Sequence, residues 1–391
     1  MTLNKLGIWE TAVERAVLNN VPKVKKILSD YPYLETLAAN VRDAKLKVLD
    51  NLDWYIDQTM KAVEHSGGVA HFAKTASEAR NIALEIIGDK KKIIFTKTNV
   101  AYEVRLREFL QSKGKEVWET DLGEYLIQQS GDPPSHIVFP ALHMTKEAIV
   151  HMLHEKLDPT ITPVSNHEDM VAAVRAFLMQ KYLSAEVGVT GANSVAADTG
   201  SVALLENEGN IRISTVLPPI HISITGVDKI VPTIKDAMNE LLVQSAYGGL
   251  FPPSYINITS GPSSTADIEL KRVSPATGPR EFHLILLDNG RKRANSDPVL
   301  RQALLCIKCG RCYFSCPVYR VLGPSWGNPP YGGPMGAMWT AIVDDDTSVA
   351  NLCAHSAGCR EVCPVKIDIP AVLEYIKFLD SKRRRTAGRT R

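Results

Sequence analysis

The distribution of cysteine constrains this chain more than any other feature. The sequence has 391 residues and seven cysteines, and all seven fall between Cys306 and Cys363. Thiols scattered through hydrophobic cores would not gather into one short segment. The count is odd, and the start, MTLNKLGIWETAVERAV, has no apolar stretch of the secretory kind, so a disulfide framework is not expected. Metal ligation in a reducing cytoplasm is the expectation instead. A net charge of +2 gives no global field toward nucleic acid or a membrane surface. No apolar run approaches the ~18 residues of a membrane span. No nucleic-acid partner and no membrane span are therefore expected.

The spacing of the cysteines says which metal chemistry. CIKCGRCYFSCPVY places Cys306, Cys309, Cys312 and Cys316 in the run C-x2-C-x2-C-x3-C-P, which is that of bacterial ferredoxins. In two-cluster proteins the first three wrap one cubane and the fourth ligates the other cluster. Soft thiolates suit iron–sulfur centres. Tetrahedral zinc also accepts four cysteines, but this spacing disfavours it. CAHSAGCREVCPV then repeats the run in register. Cys353, Ser356, Cys359, Cys363 and Pro364 stand where Cys306, Cys309, Cys312, Cys316 and Pro317 stood, so one cysteine is replaced by Ser356. Exchanging the fourth cysteines assigns Cys306, Cys309, Cys312 and Cys363 to a [4Fe–4S] cluster. Cys316, Cys353 and Cys359 remain for a second cluster with three thiolates. Three thiolates hold [3Fe–4S], or [4Fe–4S] if Ser356, water or substrate supplies the fourth ligand. The pattern C-x5-C-x3-C-P resembles the [3Fe–4S] site of succinate dehydrogenase iron–sulfur subunits, which favours [3Fe–4S]. His355 reads as a surface or outlying group. Two neighbouring clusters form a path for single electrons.

Along the rest of the chain the periodicity changes twice. Residues 1–65 mix apolar and charged residues at helical spacing and read as a packing arm or partner-binding hairpin. From 66 to 293, short apolar strands alternate with helices. Expected strands are KIIFTK, EVWETD, SHIVFPALH, GSVALLE, HISITGV and EFHLILLD. Expected helices are SEARNIALEIIGDK, capped by Ser77, then YEVRLREFLQSKG and TKEAIVHMLHEKL. This alternation implies a mainly parallel sheet with helices on both faces. TSGPSSTADIELKRVSPATGPR reads as a long loop. Residues 294–380 form a ligand-organised segment, and 381–391 a basic, disordered tail. The turn GVTGANSVAADTGSVALLENEGNIR is either an anion-binding nest or a tight structural turn. Thr190, Asn193, Asp198, Glu206, Asn210 and Arg212 are candidate pocket residues there, with Glu208 nearby. No dinucleotide fingerprint, Walker loop, H-E-x-x-H or flavin motif is present.

Taken in order, NLDWYIDQTMKAVEHSGGVAHFAKTASEA, ETDLGEYLIQ, GVTGAN, ADTGSV, HI with GVDKIVPT, EFHLILLDNGR and the cysteine runs resemble the lactate-utilisation iron–sulfur proteins of the LutB family, over roughly residues 35–375. The resemblance implies an α/β class: a LUD domain of NagB/RpiA/CoA-transferase-like fold with an N-terminal helical segment, plus a C-terminal, mainly α-helical, two-cluster ferredoxin-like domain. It implies a cytoplasmic electron-transfer subunit, acting with a CCG-domain subunit and a second LUD protein to oxidise L-lactate, or a similar 2-hydroxy acid, to pyruvate. Typical members carry an x2-spaced cysteine where this chain has Ser356, and they continue further at the C-terminus. The alternatives are a ligand-binding LUD module with sensing or structural clusters, and an iron–sulfur subunit of a heterodisulfide reductase- or succinate dehydrogenase-like complex. A flavin is possible on chemical grounds but is supported by no motif. No catalytic residue is evident.

Overall fold

The computed structural model describes residues 3–389. Ten strands lie among the described residues: β1 (Val69–Ala73), β2 (Lys92–Phe95), β3 (Glu116–Glu119), β4 (Val187–Thr190), β5 (Ser194–Ala196), β6 (Ser201–Glu206), β7 (Ile220–Gly226), β8 (Ile230–Val231), β9 (Tyr255–Thr259) and β10 (Glu281–Leu287). Six form one sheet in the order β1-β10-β7-β4-β2-β3, parallel throughout. Its central strands are buried on both faces, as β7 shows with all seven residues inside, His221, Ser223 and Thr225 alternating with Ile220, Ile222 and Ile224, the burial expected of a helix-covered parallel sheet. The others make a smaller mixed sheet, β8-β5-β6-β9.

The N-terminal arm is helical as its periodicity predicts, in Leu3–Asp30, Tyr33–Asp50 and Leu52–His65. Its apolar stripe, with Trp9, Val13, Ile27, Leu34 and Val41, is buried in one core with Tyr313, Trp339 and Ile376 of the cysteine segment and with Val243 and Ala246. Burying such side chains is worth about 1.5–3 kcal/mol each, so packing accounts for the arm. The cysteine segment accordingly shares its core with the arm instead of folding around a core of its own.

Four local expectations are corrected. SHIVFPALH is not a strand. His136 Nδ1 accepts the backbone N–H groups of Val138 and Phe139, and both the amide and the hydroxyl of Ser135 donate to Pro140 O. The groups a sheet ladder needs are thus used locally. YEVRLREFLQSKG is broken at Arg105 (φ 51°) into Asn99–Glu103 and Leu106–Ser112. The helix Ala76–Ile87 is capped by Thr75, whose side chain accepts from the Glu78 amide, and not by Ser77. The basic tail is no disordered end, since the helix Ile369–Arg389 runs through it; residues 390–391 lie outside the described residues.

Candidate iron–sulfur sites and the adjoining cavity

The sequence repeat is also a backbone repeat. Short 3-10 turns, Leu300–Leu305 and Ser348–Leu352, lead into Cys306 (φ −63°, ψ 122°) and Cys353 (φ −65°, ψ 123°). Lys308 and His355 then take positive φ (59° and 53°), as do Gly310 and Ala357 (76° and 61°). Short helices follow, Arg311–Phe314 and Gly358–Glu361. Ser356 therefore stands at the backbone position of Cys309. Glycine is required at 310 for a second reason: a Cβ there would lie 2.5 Å from the His136 ring.

The fold crosses the two runs. Cys306, Cys309, Cys312 and Cys363 line one small cavity. The backbone amides of Lys308 and Ile367 donate to the Cys306 and Cys363 sulfurs, each at 3.4 Å. Burial pushes the Cys309 thiol up to about 12 and Cys363 up to about 11, and after burial each feels Cys306. Cys359 is pushed up to about 12 by burial and then by Cys316 and Cys353, which marks the second group. Cys312 feels both its own group and Cys359, so the two groups adjoin. Among the described residues no three His, Cys, Asp or Glu side chains converge on one point to hold a single ion. Four thiols around a cavity, with amide donors on their sulfurs, fit a polynuclear cluster. His355 is exposed and accepts from Lys377 Nζ at 3.0 Å, as an outlying group does.

Lys308, between two cysteines of the first group, reaches out of the cluster loop. Its ammonium meets Asp228 Oδ2 at 2.9 Å and lies 3.7 Å from the centre of the Trp339 ring. Burial pulls it down to about 8 despite Asp228. Asp228 also binds Arg291, and Arg291 pairs with Glu103 at 2.8 Å. Tyr331 donates to the same Glu103 at 2.6 Å. Burial opposes the Asp228 charge, but Lys308 and Arg291 outweigh it and hold the carboxyl well below its usual range. Lys45 of the arm donates to Asp228 O. This buried network joins the arm, the parallel sheet and the cluster loop. Gly226 makes room for it, since a Cβ there would lie 2.2 Å from Asp228 Oδ1.

Beside it lies a cavity of about 520 Å³. It opens at the C-terminal edge of the sheet between β2 and β4, whose further neighbours lie on opposite sides, β3 beyond β2 and β7 beyond β4. Such a switch point is where open α/β sheets bind ligands. The loop after β2 contributes Lys97 to Val100, and the loop after β4 contributes Gly191 to Asn193. Gly191 permits their close approach, since a Cβ there would lie 2.9 Å from Thr98 Oγ1. Lys308 lines this cavity as well as the cysteine-lined one, so the two spaces share a wall.

Of the pocket residues expected from sequence, Asn193, Glu206 and Asn210 line this cavity, with Glu208. Thr190, Asp198 and Arg212 do not. Thr190 is buried and shares a hydrogen bond with His221 Nε2 at 2.9 Å. Asp198 accepts from the Ile234 amide, at the start of a helix. Arg212 pairs with Glu206 at 3.4 Å and lies over the Tyr255 ring. Sequence reasoning missed Lys97, Lys229, Asp228, Arg291 and Lys308. The available signal was charge embedded in apolar runs, as in GVDKIV and CIKCG.

Comparison with known proteins matches the LUD domain model over residues 56–287 and the 4Fe-4S dicluster domain model over residues 302–367. The Lactate utilization protein B of Bacillus subtilis (strain 168) is 40% identical over 334 residues, which is 83% of this chain and 67% of that protein. That of Bacillus velezensis is 39% identical over 347 residues, 87% and 70% of the two chains. The Escherichia coli (strain K12) protein described as "Uncharacterized electron transport protein YkgF" is 36% identical over 345 residues, 86% and 69%. This chain belongs to the LUD domain family, within the group of lactate utilization protein B relatives, and carries a 4Fe-4S dicluster domain.

Proposed function

We propose that this chain is the iron–sulfur electron-transfer subunit of a cytoplasmic complex that oxidises L-lactate, or a similar 2-hydroxy acid, to the 2-oxo acid. A CCG-domain subunit and a second LUD protein are its proposed partners. The observation that carries the reading is the sorting of seven cysteines into adjoining groups of four and three. We assign Cys306, Cys309, Cys312 and Cys363 to a [4Fe–4S] cluster. Cys316, Cys353 and Cys359 are assigned to a second cluster, [3Fe–4S], with Ser356 at the position of the missing ligand. Bound there, the clusters supply one-electron transfer over a short path. The chain's own residues fix the geometry: Lys308 and Asp228 tie the first cysteine loop to the sheet, and the Lys308 and Ile367 amides point at sulfur. The names of the relatives support lactate utilisation as the setting.

The test is affinity capture of the chain from its native host under anaerobic conditions, with lactate-dependent dye reduction assayed on the captured complex. Iron at about seven to eight per chain is expected from the two assigned clusters. Stoichiometric zinc without iron, or a complex that reduces dye equally without a 2-hydroxy acid, would overturn the reading.

A further inference from the structure

The cavity beside the cluster loop holds a cation that the buried network leaves unused. Lys229 ends the 3-10 turn Val227–Lys229 that follows β7. Its neighbour Asp228 turns to Lys308 and Arg291, whereas Lys229 lines the cavity. Lys229 is 5% exposed. Its ion partner is Glu240 Oε1 at 3.6 Å, too far for a hydrogen bond, and that buried Glu240 oxygen accepts no hydrogen bond. The other Glu240 oxygen accepts from Ser194 Oγ at 3.2 Å. Among the described residues the Lys229 ammonium has this one long ion pair and no hydrogen bond. An ammonium at the tip of an otherwise buried side chain, with no hydrogen bond from the protein, is left to find its partners on the cavity side. An anion entering from the cavity would supply them.

The rest of the lining says what kind of anion. Asp121, Glu206 and Glu208 face the same space. Glu208 accepts from the Leu122 amide at 3.0 Å and remains reachable through the open side of the cavity. Glu206 is paired with Arg212, and Lys97, also in the lining, is held by the Val138 carbonyl; the carboxyls of Asp121 and Glu208 disfavour a dianion such as phosphate, yet accept a hydrogen bond from a hydroxyl. Gln244 takes the Asn193 amide on its oxygen at 2.8 Å, and its own NH2 can donate to an oxygen. Cation, acceptors and amide donor together suit one negative charge with an oxygen beside it.

We propose that this cavity binds a small monocarboxylate bearing an oxygen on carbon 2, with Lys229 as the counter-charge of its carboxylate. The choice among such acids rests on the proposed function; the anion site rests on Lys229 and its surroundings. A cavity of ~150 Å³ already holds benzene, so 520 Å³ leaves room for water or a second small molecule beside a six-heavy-atom acid. Through Lys308, the bound acid lies against the Cys306–Cys309 loop.

Calorimetry on the cluster-loaded full chain tests this, with lactate, pyruvate, acetate and inorganic phosphate as probes. Lactate and pyruvate are expected to bind more tightly than acetate, and phosphate not at all. Lys229→Met combined with Glu240→Gln removes both members of the buried pair together, which spares the fold the stranded charge that a single change would leave. This double variant should bind lactate at least tenfold more weakly. Glu240→Gln alone frees the ammonium and should tighten binding several-fold, a response that a merely structural Lys229 would not give. Unchanged binding in the double variant, phosphate binding tighter than lactate, or no acid binding by the wild-type chain would each overturn the proposal. Lactate-dependent dye reduction by the complex without acid binding to this chain overturns the cavity assignment and leaves the electron-transfer reading standing. Acid binding to this chain without dye reduction by the complex does the reverse.

Discussion

Removing the Asp228 carboxylate is the sharpest perturbation the buried network offers. Its side chain is wholly buried between Arg291 and Lys308. In Asp228→Ala, Arg291 keeps Glu103 at 2.8 Å. Lys308 keeps the Trp339 face at 3.7 Å but loses its ion pair. Stranding a buried charge costs about 3–5 kcal/mol. A desolvated cation–π contact returns about 2 kcal/mol at most. Lys308 can also shed its proton, because burial has already pulled it down to about 8, and each unit below the ambient pH is worth about 1.4 kcal/mol. The expected net loss is about 2–4 kcal/mol. Anaerobic urea unfolding of the cluster-loaded chain measures it, followed by far-UV circular dichroism and by the visible absorbance of the clusters. Lys308→Met in the Asp228→Ala background should recover part of the loss, since no ammonium is then stranded. The sign with pH is fixed. The folded Asp228 carboxyl is depressed, so its contribution is full above the unfolded value of about 3.9 and fades as pH falls below it. The difference between variant and wild type should therefore shrink below about pH 4. A loss under about 0.5 kcal/mol at pH 7, the size of an ordinary surface change, or no recovery in the double variant, would refute the argument.

Three further outcomes are expected. Cys363→Ser should remove the [4Fe–4S] signal while the second cluster's signal persists, read by anaerobic EPR; the opposite pattern would deny the crossed ligation. Ser356→Cys should replace the [3Fe–4S] signal of the oxidised chain with a second [4Fe–4S] signal, and an unchanged spectrum would mean that residue 356 does not face the cluster. Burial, followed by Glu124, pushes Glu119 up to about 8, so the folded state holds its proton where the unfolded state has lost it. Wild-type stability should then fall as pH rises from about 4 toward 8, and Glu119→Gln should flatten that slope in urea titrations at pH 5 and pH 8.

What could be read from the sequence follows from how local each signal is. The cysteine register needs only adjacent residues, and the backbone repeats it, with Lys308 and His355 at matching positive φ. Strands such as KIIF and HISITG announce themselves by their short apolar or alternating runs, Ile93, Ile94 and Phe95 in the first and Ile222 and Ile224 in the second. SHIVFPALH misleads because its composition favours a strand while its side chains close a loop. The bond from His136 Nδ1 to the amides two and three residues on is invisible to periodicity. The pocket was half legible for a similar reason. Asn193, Glu206 and Asn210 come from one stretch of chain, whereas Lys97, Lys229 and Lys308 come from three distant ones.

The long-range contacts explain why the cysteine segment cannot be treated as an independent module bolted to an α/β domain. Lys308 sits inside the C-x2-C spacing, yet its ammonium is held by Asp228 at the end of β7. His136, from the loop that failed as a strand, contacts Gly310 O at 3.2 Å and stacks on Phe314 at 4.8 Å. Arg311 bonds Asn20 of the arm at 3.3 Å. The first cysteine loop is thus gripped from three sides by parts of the chain that precede it. A rigidly held loop fixes its distance to the cavity, and a fixed distance is what electron transfer between a bound molecule and a cluster requires. The same grip predicts that changes at Asp228 or His136 will disturb the Cys306–Cys312 site before the Cys353–Cys359 one, whose loop is exposed at Ala354, His355 and Ser356.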